Sequence, residues 1–378
     1  MNIRAAAVEE KQMAQEVRLL YCAGVGFEAA RNVDILPVGH RSRRLHGHSF
    51  VAKVRAALST EAMRFPGAQV GVLKHLLNSC VAPLDYEVLN AHISIPTDEN
   101  IARWIREKFS LPTVEAVGVQ STSDEGVDLD GEDRAHIWRR YSFQAAHRLP
   151  NVGPGHKCGR MHGHGFEVIL HVAQNLAQSD MGIDYDRIDA VWAPVFAELN
   201  HRCLNEIEGL ENPTSELIAS WLWRRLKQDL PQLAWVTVYE TATCGANYDG
   251  DRYRIWKEMT LDSAIRLVRA PADDVRSRIH GHTYVLRLHL DAPLDKVMGW
   301  TVDFGDVKEL FSPIFQKLDH QPLYELADVV DNDVESLLKW IGVETSRYIP
   351  SVSRIDLFET RGCGAILSRG IESPALPI

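Results

Sequence analysis

Apolar and polar residues alternate over several stretches of the chain, and this pattern predicts β-strands. Residues 143–149 (FQAAHRL) and 162–172 (HGHGFEVILHV) have the period of two that is typical of strands. Residues 215–230 (SELIASWLWRRLKQDL) carry apolar positions at helical spacing instead, and 233–242 (LAWVTVYETA) return to the strand pattern. The order predicts an α+β unit, an antiparallel sheet with helices on one side.

The same landmarks occur three times, which indicates tandem copies of this unit. A His-Gly-His motif begins at residues 46, 162 and 280, so the copies are 116 and then 118 residues apart. A second landmark follows each motif as LDY at 84–86, LNH at 199–201 and LDH at 318–320. This period is too long for a solenoid, so it indicates whole domains. The predicted first, second and third units span residues 16–122, 135–250 and 260–378.

The junctions between the units have a distinct composition. Residues 121–133 (STSDEGVDLDGED) are acidic and contain glycine, which predicts a mobile connector. Residues 248–253 (YDGDRY) mark the second junction.

Composition and charge exclude several classes of function. The 378-residue chain has a net charge of −10 and no long basic run, which argues against a nucleic-acid partner. No apolar stretch approaches the roughly 18 residues of a membrane span, and the N-terminal segment is too acidic for a signal peptide. Six scattered cysteines without a CxxC pair indicate a reduced, cytoplasmic protein.

The second unit contains a candidate metal site. Alternate residues of a strand share a face, so His162 and His164 point the same way, and His147 lies on the corresponding face of the preceding strand. If these strands pair, three imidazoles converge and leave a fourth position open, as a catalytic zinc site requires. Histidines that bind nothing are the alternative, and the matching phase of the third histidine argues against it.

The other two copies depart from this pattern. Arg31 stands in the first unit where the second has His147, and we align Arg269 with the same position in the third unit, across a shorter loop. A guanidinium stays protonated and cannot ligate zinc. We therefore expect the first and third His-Gly-His motifs to bind no zinc. The two arginines could bind a triphosphate or another anion, but we favour residues that neutralise a vacated site.

A cysteine four residues before the His-Gly-His motif occurs only in the second unit. The equivalent residues are Ser42, Cys158 and Arg276. Lys157 and a nearby zinc would favour the thiolate of Cys158. A lone cysteine is usually a small core residue, but glycine and charged neighbours argue against burial here. The pattern favours a catalytic base or nucleophile.

Three segments of the second unit resemble a known family. They are FQAAHRLPNVGPGHKCGRMHGHGFEV, LNHRCLNEIEGLENPTSE and VTVYETATCGANY. They are similar to the 6-pyruvoyltetrahydropterin synthase superfamily, most of all to its bacterial 6-carboxytetrahydropterin synthase branch, which shares the three-residue spacing between cysteine and motif. The resemblance is strong over about 141–248, weaker in the third unit and faint in the first.

The resemblance implies a fold, an assembly and a reaction. The fold is the tunnelling fold (T-fold), with four antiparallel strands and two helices per unit, and three units closing into a barrel. One chain would form a whole pseudo-trimeric barrel, and we expect a homodimer of two stacked barrels. The reaction is the zinc-dependent conversion of 7,8-dihydroneopterin triphosphate, a small pterin, to 6-carboxy-5,6,7,8-tetrahydropterin, acetaldehyde and triphosphate in the queuosine or 7-deazapurine pathway.

Two alternatives to this reaction stay open. One is a pyruvoyl-type synthase or another lyase of the pterin side chain. The other, from a different class, is a non-catalytic scaffold that binds pterins. The resemblance itself places zinc on His147, His162 and His164 and the base on Cys158.

The family's proton relay is an Asp-His pair, and the three copies differ there. The pairs are Asp85-Tyr86, Asn200-His201 and Asp319-His320 in the first, second and third units. Because family sites lie between adjacent subunits, we favour a composite site with the metal and Cys158 from the second unit and Asp319 and His320 from the third. The alternative is that His201 serves its own unit.

The glutamate that anchors the pterin in the family falls on Glu240 or Glu359. If anchor and relay come from the same unit, Glu359 serves the working site. Thr214 belongs to a PTSE turn that the family places near the substrate. Either Thr214 or Ser215 could instead cap the helix that follows.

Overall fold

The structure is a computed structural model that describes residues 17–59, 61, 63–174, 179–296, 298–327, 329, 331–370 and 376. The strands of the first unit are β1 (Val17–Arg31), β2 (His46–Ala56), β3 (Glu87–Val88), β4 (Val114–Thr122) and β5 (Glu125–Leu129). Those of the second are β6 (Ala135–His147), β7 (His162–Gln174), β8 (Arg202–Cys203), β9 (Leu233–Thr241) and β10 (Cys244–Tyr248). Those of the third are β11 (Tyr253–Ile265), β12 (His280–Asp291), β13 (Val352–Thr360) and β14 (Cys363–Arg369).

Each unit carries two α-helices between its second and third long strands. They are α1 (Gln69–Val81), α2 (Asp98–Lys108), α3 (Tyr185–Leu199), α4 (Ser215–Lys227), α5 (Phe304–Leu318) and α6 (Val334–Tyr348). In each unit, the residue before the second helix caps it, and its side chain accepts a backbone N–H of the first turn. The capping residues are Thr97, Thr214 and Asp333.

The long strands form one closed antiparallel ring in the order β1-β2-β4-β5-β6-β7-β9-β10-β11-β12-β13-β14. The units join edge to edge through β5–β6, β10–β11 and β14–β1, and the last pair closes the ring with Val17 opposite Arg369. The two-residue strands β3 and β8 lie parallel to β1 and β6. The predicted fold of three tandem T-fold units in a pseudo-trimeric barrel is confirmed.

The predicted mobile connector at 121–133 is wrong, because Glu125–Leu129 form β5 and pair with both β4 and β6. Asp128 is buried in this strand. Gly126 packs so closely on Trp138 that an added Cβ would lie 2.6 Å from its ring. The glycine therefore allows close packing on Trp138, and the acidic residue lies inside the sheet rather than in a linker. The second predicted junction, 248–253, is the turn between β10 and β11.

The core of the second unit lies between its helices and the sheet. Helix α4 packs on β9, and Ile218, Leu222, Val236 and Val238 are all buried in one continuous apolar cluster. This packing fixes the start of α4 beside the ends of β6, β7 and β9, where the candidate site lies. Within the described part of the chain, no helix has the length and apolar character needed to cross a membrane.

Candidate functional site

Three histidines of the second unit converge at the paired ends of β6 and β7. The register places His147 opposite His162 and Ala145 opposite His164. The ring centroids are 4.5 Å apart for His147 and His162, 5.1 Å for His147 and His164, and 5.0 Å for His162 and His164. The strand pairing assumed in the sequence interpretation is therefore present, and it brings the three predicted ligands together.

Hydrogen bonds orient two of the rings. His147 Nδ1 lies 2.9 Å from the Pro213 carbonyl oxygen, and His162 Nδ1 lies 2.8 Å from that of Arg160. A carbonyl oxygen only accepts, so each Nδ1 carries the proton and each Nε2 keeps its lone pair. Nε2 of His147 and Nε2 of His164 are buried and have no hydrogen-bond partner among the described residues. The buried lone pair of His147 Nε2, without such a partner, fits a bound cation.

Glu240 completes the histidine cluster. Its Oε1 lies 3.5 Å from His164 Nε2, and its Oε2 accepts a hydrogen bond of 2.7 Å from Ser215 Oγ at the start of α4. One potential ligand atom from each of the three histidines and Glu240 lies within 4.8 Å of all the others. These four residues have the ligand types and the spacing to hold a divalent metal ion.

Burial lowers the pKa of His147 and of His164, and the negative charge of Glu240 opposes that effect. Neutral imidazole is the form that binds a metal. The surroundings of the two rings therefore favour the ligand form.

Cys158 is half-buried in the three-residue helical turn Lys157–Gly159, between β6 and β7. Burial raises the pKa of its thiol, Glu240 raises it further, and Lys157 lowers it. Lys157 thus acts in the predicted direction, but burial and the carboxylate outweigh it. A cation at the histidine cluster would favour the thiolate.

The loop of Cys158 also contains a histidine that the sequence interpretation missed. His156 Nδ1 accepts the Cys158 backbone N–H at 3.2 Å, and His156 Nε2 lies 3.3 Å from Oδ2 of Asp303 in the third unit. Comparing the repeats could have found it, because GHKC at 155–158 matches GHRS at 39–42. Asp303 gives no comparable signal, since only the fold brings it to this loop.

The third unit covers the start of α4 with residues 298–303. Thr214 Oγ1 donates to the Gly299 carbonyl oxygen at 2.5 Å and accepts the Leu217 N–H at 3.2 Å. The Thr301 N–H donates to Glu216 Oε1 at 2.8 Å. Thr214 is therefore the helix cap, its hydroxyl already engaged with the third unit, and its substrate-binding role stays a prediction.

The Asp-His pair of the third unit is intact. His320 Nδ1 lies 2.9 Å from Asp319 Oδ2, and Asp319 Oδ1 accepts the Asp262 N–H at 3.0 Å. The Asp319 carboxylate raises the pKa of His320. The His320 side chain is 74% exposed. The group formed by Asp262, Asp319 and His320 is separate from the histidine cluster of the second unit.

The second unit keeps the backbone geometry of this pair without its charge. Asn200 Oδ1 accepts the Gln144 N–H at 3.0 Å, and His201 adopts a left-handed φ of 58°, close to the 54° of His320. The neutral amide of Asn200 cannot stabilise a protonated His201 as a carboxylate would. The first unit has Tyr86 in the same conformation.

Strand order places each relay beside the preceding unit. The His320 N–H bonds to Asp262 on β11, and β11 pairs with β10 of the second unit. The His201 N–H bonds to Gln144 on β6, and β6 pairs with β5 of the first unit.

In the first unit, an arginine lies where the second has its histidine cluster. Arg31 Nη1 donates to Asp98 Oδ1 at 2.6 Å and to the Pro96 carbonyl at 3.0 Å, and Nη2 lies 3.3 Å from His48 Nε2. Burial, helped by Arg31, lowers the pKa of His48 to about 4. The guanidinium is therefore bound within the chain.

The predicted equivalence of Arg269 and His147 is wrong. The register places Ile265 opposite His280, as His147 lies opposite His162, so Ile265 is the equivalent residue. The loops between these strands are equally long in the two units, and the presumed shorter loop came from misaligning the repeats. Arg269 lies in the loop itself, 56% exposed, 3.0 Å from Asp331.

Glu359, the alternative pterin anchor, has different surroundings from Glu240. Burial raises its pKa to about 7, and the positive charge of Arg276, the equivalent of Cys158, opposes that rise. Arg276 is itself bound to Asp274 at 2.9 Å. Of the two glutamates, Glu240 is the one beside the three clustered histidines.

Three segments of the chain, residues 23–131, 136–251 and 254–369, match the model of the 6-pyruvoyl tetrahydropterin synthase family. These segments span most of the chain, which therefore belongs to this family. The 6-carboxy-5,6,7,8-tetrahydropterin synthase of Synechocystis sp. is 37% identical over 123 residues, which cover 31% of this chain and 94% of that protein. The expected family and its enzyme class are confirmed.

Two further proteins are similar over about one unit. The dihydroneopterin monophosphate aldolase of Pyrococcus furiosus is 34% identical over 98 residues, covering 26% of this chain and 80% of that enzyme. The structure of Caenorhabditis elegans 6-pyruvoyl tetrahydropterin synthase is 25% identical with a TM-score of 0.27, covering 29% of this chain and 90% of that one.

Proposed function

We propose that the chain converts 7,8-dihydroneopterin triphosphate and water to 6-carboxy-5,6,7,8-tetrahydropterin, acetaldehyde and triphosphate, as a step toward queuosine or a related 7-deazapurine. The observation that carries this proposal is one cluster in one unit: three histidines, with a buried His147 Nε2 that has no hydrogen-bond partner among the described residues, together with Glu240. The similarity to the Synechocystis enzyme over nearly its whole length supports the choice of reaction.

Each residue of the second unit has a role suited to its chemistry. His147, His162 and His164 would hold zinc, which when bound polarises the side-chain oxygens of the substrate. Cys158 would move a proton at the adjacent carbon. Glu240 would accept hydrogen bonds from the pterin ring N–H and amino group, while Ser215 keeps the carboxylate in place.

The proposed proton relay is the pair Asp319 and His320 from the third unit. It is the pair with a carboxylate beside the imidazole, and its backbone bonds to β11, the strand that borders the second unit. His201 lies beside the first unit, where Arg31 fills the equivalent of the metal site. We further propose that two chains stack into a homodimer.

A pterin side-chain lyase of another type is the second candidate. Similarity to the Pyrococcus furiosus enzyme named as a dihydroneopterin monophosphate aldolase favours it. A lyase of that type would use the same metal and pterin anchor but release a different side-chain fragment. The non-catalytic scaffold is disfavoured because pterin binding alone has no use for a thiol beside the histidines.

The test is a turnover assay with zinc-loaded protein and 7,8-dihydroneopterin triphosphate, with products identified by mass spectrometry. We expect 6-carboxytetrahydropterin and acetaldehyde, lost in Cys158→Ala. In the same assay His320→Ala should lower kcat by about 100-fold, the usual size of a general acid–base contribution, and His201→Ala by much less. A larger loss in His201→Ala would contradict the composite site, and another product would favour the second candidate.

A further inference from the structure

The backbone of Cys158 is held by a cap that comes from its own loop. His156 precedes the turn Lys157–Gly159, and its Nδ1 accepts the Cys158 N–H at 3.2 Å. A three-residue turn leaves its first N–H groups without internal partners, so such a cap fixes the turn and the direction of its side chains.

This hydrogen bond defines the tautomer of His156. Because Nδ1 accepts, the proton of the neutral ring is on Nε2, which lies 3.3 Å from Asp303 Oδ2. The lone pair of the ring is already used by the Cys158 backbone. His156 is therefore not a base for the thiol, and its contribution is to place Cys158.

Asp303 is fixed within the third unit. It caps α5, and its Oδ1 accepts the Gly305 N–H at 2.5 Å, which leaves Oδ2 for His156. The His156 and Asp303 side chains are 30% and 18% exposed. The neighbouring Gly299 and Thr301 bind the start of α4, so this boundary is held at several points.

We propose that His156 and Asp303 form a positioning pair, through which the third unit sets the backbone of Cys158 in the site of the second unit. The proposal rests on the proposed function only for the catalytic role of Cys158. It makes the third unit part of the working site at a place other than Asp319 and His320. It also predicts that the charge and shape of Asp303, at the start of α5 in the third unit, control the rate at Cys158.

The chain provides a matched control in its first unit. His40 Nδ1 accepts the Ser42 N–H at 3.1 Å, and His40 Nε2 lies 3.0 Å from Asp186 Oδ2 in the second unit. A similar cross-unit pair therefore exists without a thiol, with its carboxylate in the first turn of α3 rather than at the cap, which is Asp184. If such a pair served only the packing of units, His40→Ala and His156→Ala would lower kcat equally.

The test compares His156→Ala, Asp303→Asn and His40→Ala in the zinc-loaded full chain. Asparagine still caps α5 but turns its amide hydrogens toward His156. We expect His156→Ala and Asp303→Asn each to lower kcat by about 10- to 100-fold with KM within about twofold, the effect of a misplaced catalytic group. The double variant should lose no more kcat than the more impaired single variant, because the two residues act as one unit.

A second measurement needs no substrate. Alkylation of Cys158 by iodoacetamide, followed by mass spectrometry of its peptide, should become faster in both variants because the loop no longer shields the half-buried sulfur. The buried Cys22 should stay unreactive, which separates a local change from unfolding. His40→Ala should leave both kcat and the alkylation of Cys158 as in the wild type.

Two outcomes would overturn the positioning pair. One is wild-type kcat and alkylation in His156→Ala and Asp303→Asn. The other is an equal loss of kcat in His40→Ala, which would assign these pairs to the packing of units. Absence of turnover in the wild type would refute the proposed function alone, since faster alkylation confined to the two site variants would still support the pair.

Discussion

Arg31 makes a structural contact at the position where the second unit has His147. Its guanidinium lies in the buried space beside His48 and is neutralised by Asp98, which also accepts hydrogen bonds from Ser121 and from Tyr185 of the second unit. The carboxylate is 3% exposed and its pKa is lowered, although burial alone would raise it. Arg31 and Asp98 thus form part of the boundary between two units.

We predict that Arg31→Ala destabilises the chain by about 3 kcal/mol, because it leaves the Asp98 charge buried and unpaired. Arg269→Ala is the control: its pair with Asp331 is largely exposed at the arginine and should contribute less than about 1 kcal/mol. Urea unfolding followed by circular dichroism measures both. Equal effects of the two substitutions would show that the burial of Arg31 has no energetic consequence.

Alternation along two strands was enough to predict that the three histidines share a face, once the two strands were assumed to pair with those faces aligned. The position of Glu240 among them was not predictable in this way, since β9 reaches the cluster only through the order of strands in the barrel. His156 and Asp303 belong to different units, so only the joining of the second and third units brings them together. Local periodicity identifies faces of elements, and contacts between units depend on the fold.

At the scale of elements, the register of β11 and β12 corrects the alignment of the third unit. The sequence similarity of IRLVR suggested Arg269 as the equivalent of His147. The register of the paired strands places Ile265 there instead. The same holds for β5, whose acidic and glycine-containing sequence is typical of a linker while its position between β4 and β6 makes it a barrel strand. In both places backbone pairing outweighs composition.

Helix α4 begins with a buried acid whose ionisation opposes folding. Burial raises the pKa of Glu216 from 4.5 to about 7, and the Thr301 N–H only partly offsets this. The folded state therefore binds the proton more tightly than the unfolded state, so the contribution of Glu216 to stability is greatest below about pH 4.5 and is lost as the pH rises to about 7.

We predict that Glu216→Gln removes this dependence, because glutamine stays neutral and still accepts from Thr301. The variant should gain on the wild type between about pH 4.5 and pH 7, by about 3 kcal/mol in free energy of unfolding above that window. Glu211→Gln should change the slope in the opposite direction, since the Gly209 N–H lowers the pKa of Glu211. The free energy of unfolding is measured by urea unfolding at each pH. Parallel plots of this energy against pH for the wild type and Glu216→Gln would show that Glu216 does not cause the pH dependence.

At the scale of the whole molecule, fusion allows the three units to differ. In a homotrimer every substitution appears at all three sites, whereas one chain can keep three clustered histidines in one unit and lose one of them in the others. The backbone has stayed similar, since the left-handed residues Tyr86, His201 and His320 have φ values of 58°, 58° and 54°. At the sites the side chains differ although this backbone feature is shared, with arginine at 31, isoleucine at 265 and arginine at 276.

This asymmetry predicts the metal content of the chain. Three histidines in one unit should bind about one zinc ion per chain, while Arg31 and Ile265 remove a ligand from the other two units. His162→Ala should abolish the bound zinc, and His280→Ala, at the equivalent position of the third unit, should leave it unchanged. Atomic absorption after dialysis against zinc measures both. About three ions per chain would mean that His-Gly-His alone is sufficient, and the roles given to Arg31 and Ile265 would be wrong.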